Sequence, residues 1–67
     1  MSVITIDARR SSEEGWYTVF IGGVEGALDY LDNDAKDARE YDIREDDELV
    51  IYGNAYECSA AMREYVG

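Results

Sequence analysis

Sixteen acidic and six basic residues share a chain of 67 residues, so any fold must hold a formal net charge of -10 around a very small core. A chain of this length forms one domain and buries only about 60% of the surface that its unfolded state exposes. The only cysteine, Cys58, has no second cysteine to pair with, so no internal disulfide stabilises the fold. We expect residues 1–67 to form a single domain that depends on packing or association.

Arginine dominates among the few basic residues, and Lys36 is the only lysine. Short carboxylate side chains hold water and cations in concentrated salt, whereas lysine adds a long apolar stem. The composition resembles that of cytosolic proteins from archaea that accumulate salt in the cell. This resemblance implies a halophilic adaptation, with diffuse monovalent cations around an acidic surface. An ordinary acidic protein is the alternative interpretation.

The negative charge also limits the kinds of partner. Nucleic acids and anionic membranes are bound mainly through clustered Lys and Arg, and Arg9 and Arg10 form the only adjacent basic pair. No apolar segment approaches the ~20 residues of a membrane span, and the first residues do not resemble a signal peptide. We therefore expect a cytoplasmic protein that binds neither nucleic acid nor membrane.

The first third of the chain has the pattern of a β-hairpin. The segment Val3–Ala8 is rich in β-branched residues, and Trp16–Ile21 is rich in aromatic and β-branched residues. The polar segment Arg9–Gly15 between them has the length of a hairpin connection.

A helical stripe follows the hairpin, with apolar residues three or four positions apart. The short polar side chains of Asp32, Asn33 and Asp34 compete for backbone hydrogen bonds, so the helix either continues through them or breaks there. The stripe consists of Val24, Leu28, Leu31, Ala35 and Ala38.

The last third of the chain predicts a turn, a strand and a helix. The acidic run 42–48 is interpreted as a solvated turn, and Leu49–Tyr52 as a strand that Gly53 ends. Asn54 and Glu57 have the spacing of a capping box, which predicts a helix to about Tyr65 with Cys58 and Met62 facing inward.

The predicted fold is therefore a small α+β domain of order ββαβα, with a three-stranded mixed sheet and two helices. A strand-helix-strand crossover is right-handed and parallel, so we expect the third strand to lie parallel to the second. Strict alternation of side chains predicts one face of the sheet for the core. This predicted core face carries Ile4, Ile6, Tyr17, Val19, Ile21, Leu49 and Ile51.

The opposite face of the predicted sheet is too apolar to be left in water, which is typical of an interaction site. The alternative is that the C-terminal helix covers this face while the longer helix covers the other. The predicted interaction face consists of Val3, Trp16, Phe20, Val50 and Tyr52.

Catalytic and metal-binding patterns are weak. The chain has no histidine to activate a nucleophile, and Cys58 lies on an apolar helical stripe without a basic cluster around it. The Asp32-Asn33-Asp34 segment begins like a calcium loop, but Lys36 occupies the position of the next oxygen ligand. We expect no enzymatic activity, no cofactor and no specific metal site.

Gly22, Gly23 and Gly26 lie at a strand-to-helix junction, where exposed helix amides can hold an anion. The spacing is only half of a dinucleotide-binding motif, and Glu25 adds a negative charge. Tight packing at the turn is the alternative explanation for these glycines.

The sequence thus predicts a small acidic, non-enzymatic interaction module that forms a homodimer or binds a protein partner. Two other hypotheses remain open. One is a small-molecule or anion-binding domain that uses the Gly22–Gly26 junction, and the other is an accessory subunit of a larger enzyme.

Overall fold

The computed structural model describes residues 3–35 and 40–66. Two β-hairpins, each followed by helical structure, make up these residues. The elements are β1 (Ile4–Arg9), β2 (Tyr17–Gly22), α1 (Val24–Asp29) with a π-helical segment (Tyr30–Asp34), β3 (Glu40–Glu45), β4 (Glu48–Gly53) and α2 (Ala55–Val66).

The four strands form one antiparallel sheet in the order β2-β1-β3-β4. Residues of α1, the π-helical segment and α2 belong to one buried cluster with residues of the strands, so the helices cover the same face of the sheet. The cluster contains Ile4, Ile6, Ala8, Ala27, Leu31, Tyr41, Ile43, Ile51, Cys58 and Met62.

The α+β class is confirmed, but the predicted three-stranded mixed sheet is wrong. The segment Glu40–Glu45 forms an extra strand, and all strand pairs are antiparallel. The acidic run 42–48 is therefore mostly strand, and its turn is limited to Asp46 and Asp47, both with positive φ. Two such residues match the right-handed twist of a two-residue hairpin, and aspartate tolerates this conformation better than most residues.

The sequence left open whether the helix continues through Asp32–Asp34 or breaks there, and the structure shows a break at the end of this segment. α1 passes into the π-helical segment, and the chain then becomes extended at Ala35. The side chain of Asn33 donates to the backbone oxygen of Asp29 at 3.1 Å, so it competes with the helical backbone pattern as expected. Ala38, the last position of the predicted stripe, lies outside the described residues.

The two hairpin-helix units are related by an approximate two-fold axis that passes between β1 and β3. Ile6 and Ile43 face each other across this axis, and each hairpin carries a bulge at the equivalent position. Equivalent residues of the two units have similar burial. The equivalent pairs include Phe20 with Ile51, Gly22 with Gly53, Ala27 with Cys58, and Leu31 with Met62.

The β-bulges correct the predicted faces of the sheet. Val19 in β2 and Val50 in β4 have no register partner, so the side-chain alternation changes at each of them. Phe20 and Val50 consequently pack against the helix-covered core, whereas the sequence analysis placed both on the opposite face. Three residues that were predicted for the core face are exposed. They are Tyr17, Ile21 and Leu49.

Candidate interaction face

The side of the sheet that no helix of the described residues covers, called the open face below, carries exposed apolar side chains on or next to β1, β2 and β4. Ile21 is 66% exposed, Tyr52 55% and Leu49 51%, while Val3 is 47% and Trp16 38% exposed. Ile21 and Tyr52 occupy equivalent positions in the two hairpin-helix units, so apolar surface lies on both sides of the two-fold axis. A patch of this composition is typical of an interaction surface.

Trp16 and Tyr52 meet over the strands that separate them. Their ring centroids are 6.2 Å apart in an edge-to-face arrangement, although Trp16 precedes edge strand β2 and Tyr52 lies on the opposite edge strand, β4. The guanidinium carbon of Arg9 lies 4.4 Å from the centre of the Trp16 ring. This cation–π contact holds the indole across the sheet, so the aromatic pair forms a bridge over the open face.

An ion pair lies beside the aromatic bridge. Arg9 and Glu40 are register partners in β1 and β3, and the Nε of Arg9 donates to Oε2 of Glu40. The hydroxyl of Tyr52 donates to Oε1 of Glu40 at 3.1 Å. The hydrogen bond with Arg9 lowers the pKa of Glu40, and the same bond raises the pKa of Arg9. Both groups therefore stay charged near neutral pH.

A second polar row crosses the middle of the open face. Asp7 lies directly opposite Asp42 in the β1–β3 register, which places two like charges side by side. Thr18 stabilises the carboxylate of Asp7, because the Thr18 hydroxyl donates a hydrogen bond to Oδ1 of Asp7 at 2.7 Å. Arg44 stabilises the carboxylate of Asp42, since Nη2 of Arg44 lies 3.3 Å from Oδ2 of Asp42.

Asp42 and Arg44 each have one buried polar atom that makes no hydrogen bond within the described residues. Asp42 is only 6% exposed, and its Oδ1 has no hydrogen-bond partner among the described residues. The Nε of Arg44 is likewise buried without an acceptor in this part of the chain. A buried polar atom without a partner costs about 1–3 kcal/mol, so this pair is the least satisfied point of the open face.

The open face is nearly neutral although the molecule is strongly acidic. Its polar rows hold the carboxylates of Asp7, Glu40 and Asp42 against the guanidinium groups of Arg9 and Arg44. These rows therefore leave one net negative charge, compared with -10 for the whole chain. Most of the repulsion between two copies arises elsewhere on the surface.

The structure brings three of the five predicted interaction residues together on the open face. These are Val3, Trp16 and Tyr52, whereas Phe20 and Val50 lie on the helix side. The alternative that the C-terminal helix covers this face is wrong, because Cys58 and Met62 of α2 belong to the core on the other side. The sequence analysis missed the remaining residues of this face. They are Asp7, Arg9, Ile21, Glu40, Asp42, Arg44 and Leu49.

Packing accounts for two of the three glycines that were considered for anion binding. A Cβ atom added at Gly22 or at Gly26 would lie 2.9 Å from Cζ of Phe20. A side chain at either position would therefore displace the ring of Phe20 from its place between β2 and α1. Gly23 is the N-cap of α1 and has no such contact, and Glu25 lies in the first turn of that helix.

Cys58 is fully buried on the first half of α2. Its sulfur lies 3.6 Å from the backbone oxygen of Gly53 and 3.9 Å from that of Tyr41. Asn54 and Glu57 form the predicted capping box, because Glu57 N donates to Oδ1 of Asn54 and Asn54 N donates to Oε1 of Glu57. Burial, with smaller effects of Glu57 and Asp42, raises the pKa of Cys58 from 9.0 to about 11.

We expect native Cys58 to react slowly with thiol reagents at pH 8, because the thiol is protonated and inaccessible. The folded protein keeps a proton that the unfolded chain loses, so this group's contribution to stability is complete below pH 9.0 and falls as the pH rises toward about 11. Urea melts of wild type and Cys58→Ala at pH 7 to 11 measure this difference. Labelling of the native protein as fast as of the unfolded chain would contradict the assignment.

Among the described residues, no three His, Cys, Asp or Glu side chains are arranged to hold a metal ion. Within the same residues, no helix is both long and apolar enough to cross a membrane. Comparison with protein-family models, with curated proteins and with solved structures returns no match to the chain. A functional interpretation therefore depends on the geometry of the chain itself.

Proposed function

We propose that the protein is a non-enzymatic interaction module that associates with a second copy of itself through the open face. The observation that carries this proposal is the contrast between a nearly neutral, aromatic open face and a chain with a net charge of -10. Two such faces can approach each other without bringing the most acidic surfaces together. The rest of the surface then remains in contact with water and diffuse monovalent cations, as in a halophilic protein.

The open face suits this contact better than the edges of the sheet. β2 and β4 are the edge strands, and each contains a bulge. Bulges twist an edge and interrupt its row of backbone groups, which disfavours pairing with another strand. Contact through side chains of the open face does not depend on these edges.

Trp16 is the expected anchor of the contact. Large aromatic side chains contribute much of the binding energy in interfaces, and they do so best when they are already held in place. Arg9 and Tyr52 hold the indole of Trp16 through the cation–π and edge-to-face contacts. Little conformational freedom is therefore lost when a second copy covers the ring.

We expect Trp16→Ser to weaken self-association about tenfold or more, a loss of at least ~1.4 kcal/mol, because the anchor is removed. Sedimentation equilibrium in 2 M KCl measures the dissociation constants. Tyr56→Ser is the matched control, since Tyr56 is an aromatic residue of α2 that is 84% exposed and lies away from the open face. A wild-type chain that stays monomeric at millimolar concentration, or an equal effect of both variants, would refute the proposal.

A further inference from the structure

The unsatisfied atoms of the open face complement each other. Asp42 offers an unpaired acceptor, Oδ1, and Arg44 offers an unpaired donor, Nε–H, when only the described residues of one chain are considered. The two residues are two positions apart in β3 and lie on the same face of the sheet. A surface that carries both an unpaired donor and an unpaired acceptor can form hydrogen bonds with the same two atoms of a second copy.

We propose that Arg44 of each copy donates to Asp42 of the other copy across the two-fold axis of a dimer, so that two reciprocal ion pairs form at the centre of the contact. This inference rests on the proposed self-association and specifies its geometry. A two-fold contact brings the same patch of both subunits together, so the Arg44–Asp42 contact occurs twice. The contact stacks two sheets face to face with the helices on the outside.

The exposed parts of the side chains allow this exchange. The side chain of Arg44 is 42% exposed, so its guanidinium group can turn away from the sheet. Tyr52 lies opposite Asp42 in the β3–β4 register and keeps its contacts with Trp16 and Glu40. In the proposed contact the carboxylate of Asp42 turns outward beside this ring to reach the second copy. The present Arg44–Asp42 contact of 3.3 Å is long for a charge-assisted hydrogen bond, so little is lost when it breaks.

Charge reversal followed by mixing tests the reciprocal pairs. Arg44→Asp places two carboxylates against each other at both contacts of a homodimer, and Asp42→Arg places two guanidinium groups there. Each variant should associate at least tenfold more weakly than wild type, because like charges at an interface are repulsive. In a 1:1 mixture both contacts pair opposite charges, so a heterodimer should form with near wild-type affinity.

Native mass spectrometry with one isotope-labelled variant identifies the heterodimer, and circular dichroism in 2 M KCl confirms that each variant is folded. Folded variants that still form homodimers, or that do not combine when mixed, would overturn the inference. If Trp16→Ser weakens association in that case, the proposed function stands and only the reciprocal pairs are wrong. If Trp16→Ser also has no effect, the open face itself is not the contact.

A measurement on the unaltered protein covers the case in which a charge-reversed variant does not fold. Hydrogen exchange of the Arg44 Nε–H should slow at least tenfold between a dilute, monomeric sample and a concentrated, associated one. The Nε–H of Arg10 is the control, because Arg10 lies on the exposed connection after β1. An Arg44 exchange rate that is the same in both samples would overturn the inference.

Discussion

The unfolding midpoint should rise steeply between 0.1 and 1 M KCl and much less from 1 to 3 M. Two like charges about 15 Å apart in water repel by about 0.3 kcal/mol before screening. The chain carries a net charge of -10 on a fold with a radius of gyration of 10.7 Å. Summed over such charges, the repulsion at 0.1 M salt is on the order of 2–3 kcal/mol, and it nearly vanishes when the Debye length falls to about 3 Å at 1 M.

This repulsion is large compared with the free energy of unfolding of a small domain. A domain of this size without a disulfide has a net stability of a few kcal/mol, so much of the population should be unfolded in dilute buffer. Thermal melts followed by circular dichroism in KCl give the midpoints. A midpoint that does not change with salt would contradict the halophilic interpretation.

A charge variant separates screening from the other effects of salt. Replacing Glu13, Glu14 and Glu64 with Gln removes three exposed negative charges without touching the core. The midpoint of this variant should exceed that of wild type at 0.1 M KCl and converge with it at 2 M. If the difference persists at 2 M, the three carboxylates act through local contacts and not through the overall charge.

The sequence was a good guide to the hairpin β1–β2 and the capped helix α2, because each depends on a local signal, whereas it left open whether the helical stripe breaks at Asp32–Asp34. Strand β3 was missed although Glu40–Glu45 alternates polar and apolar residues, the pattern of a half-buried strand. Two features of its composition explain why β3 was not predicted. Its outward residues are charged, and the acidic segment around them has the composition of a solvated loop.

The faces of the sheet could not be derived from alternation alone. A bulge is set by the pairing of two strands, so it depends on contacts between segments that are distant in sequence. The predicted sides are right for Trp16 and Tyr52 and wrong for Phe20 and Val50. The sides of Ile21 and Leu49 were wrong as well, and in each strand the wrong residues lie within two positions of the bulge.

The candidate site was only partly predictable for a related reason. Trp16 and Tyr52 could be singled out as large aromatic residues that a small core cannot hold. Their contact over Arg9 and Glu40 requires β1 and β3 to be neighbours, and the sequence analysis did not contain β3. Asp42 and Arg44, at the centre of the open face, also lie on β3 and could not be placed for the same reason.

Phe20→Ala should cost about 2–3 kcal/mol, less than the ~3–5 kcal/mol typical of a fully buried ring, because it removes a partly buried aromatic side chain from the contact between β2 and α1. The ring of Phe20 packs against the core, and its centroid is 6.2 Å from that of Tyr30. A loss of this size exceeds the stability expected in dilute buffer, so the variant should be measured in 2 M KCl. A change below 1 kcal/mol would place Phe20 outside the core and restore it as a candidate for the interaction face.

Gly26 gives a sharper test of the same packing. Helix propensity predicts that Gly26→Ala stabilises α1 by about 1 kcal/mol. The structure predicts the opposite sign, because the added Cβ would lie 2.9 Å from Cζ of Phe20. We expect a net destabilisation of about 1–2 kcal/mol, since overpacking typically costs 1–3 kcal/mol.

The sign of the Gly26→Ala effect should reverse when Phe20 is replaced with Leu, which has no atom in the position of Cζ. In the Phe20→Leu background the new methyl group meets less resistance, so helix propensity should decide and the substitution should be neutral or stabilising. Urea melts of wild type, both single variants and the double variant in 2 M KCl give this coupling. Gly15→Ala is the control, because a Cβ at Gly15 has no neighbour within 4 Å and should give the same small effect in both backgrounds. Additive effects of Gly26→Ala and Phe20→Leu would show that the ring does not lie against α1, and the assignment of Phe20 to the helix-covered face would then be wrong.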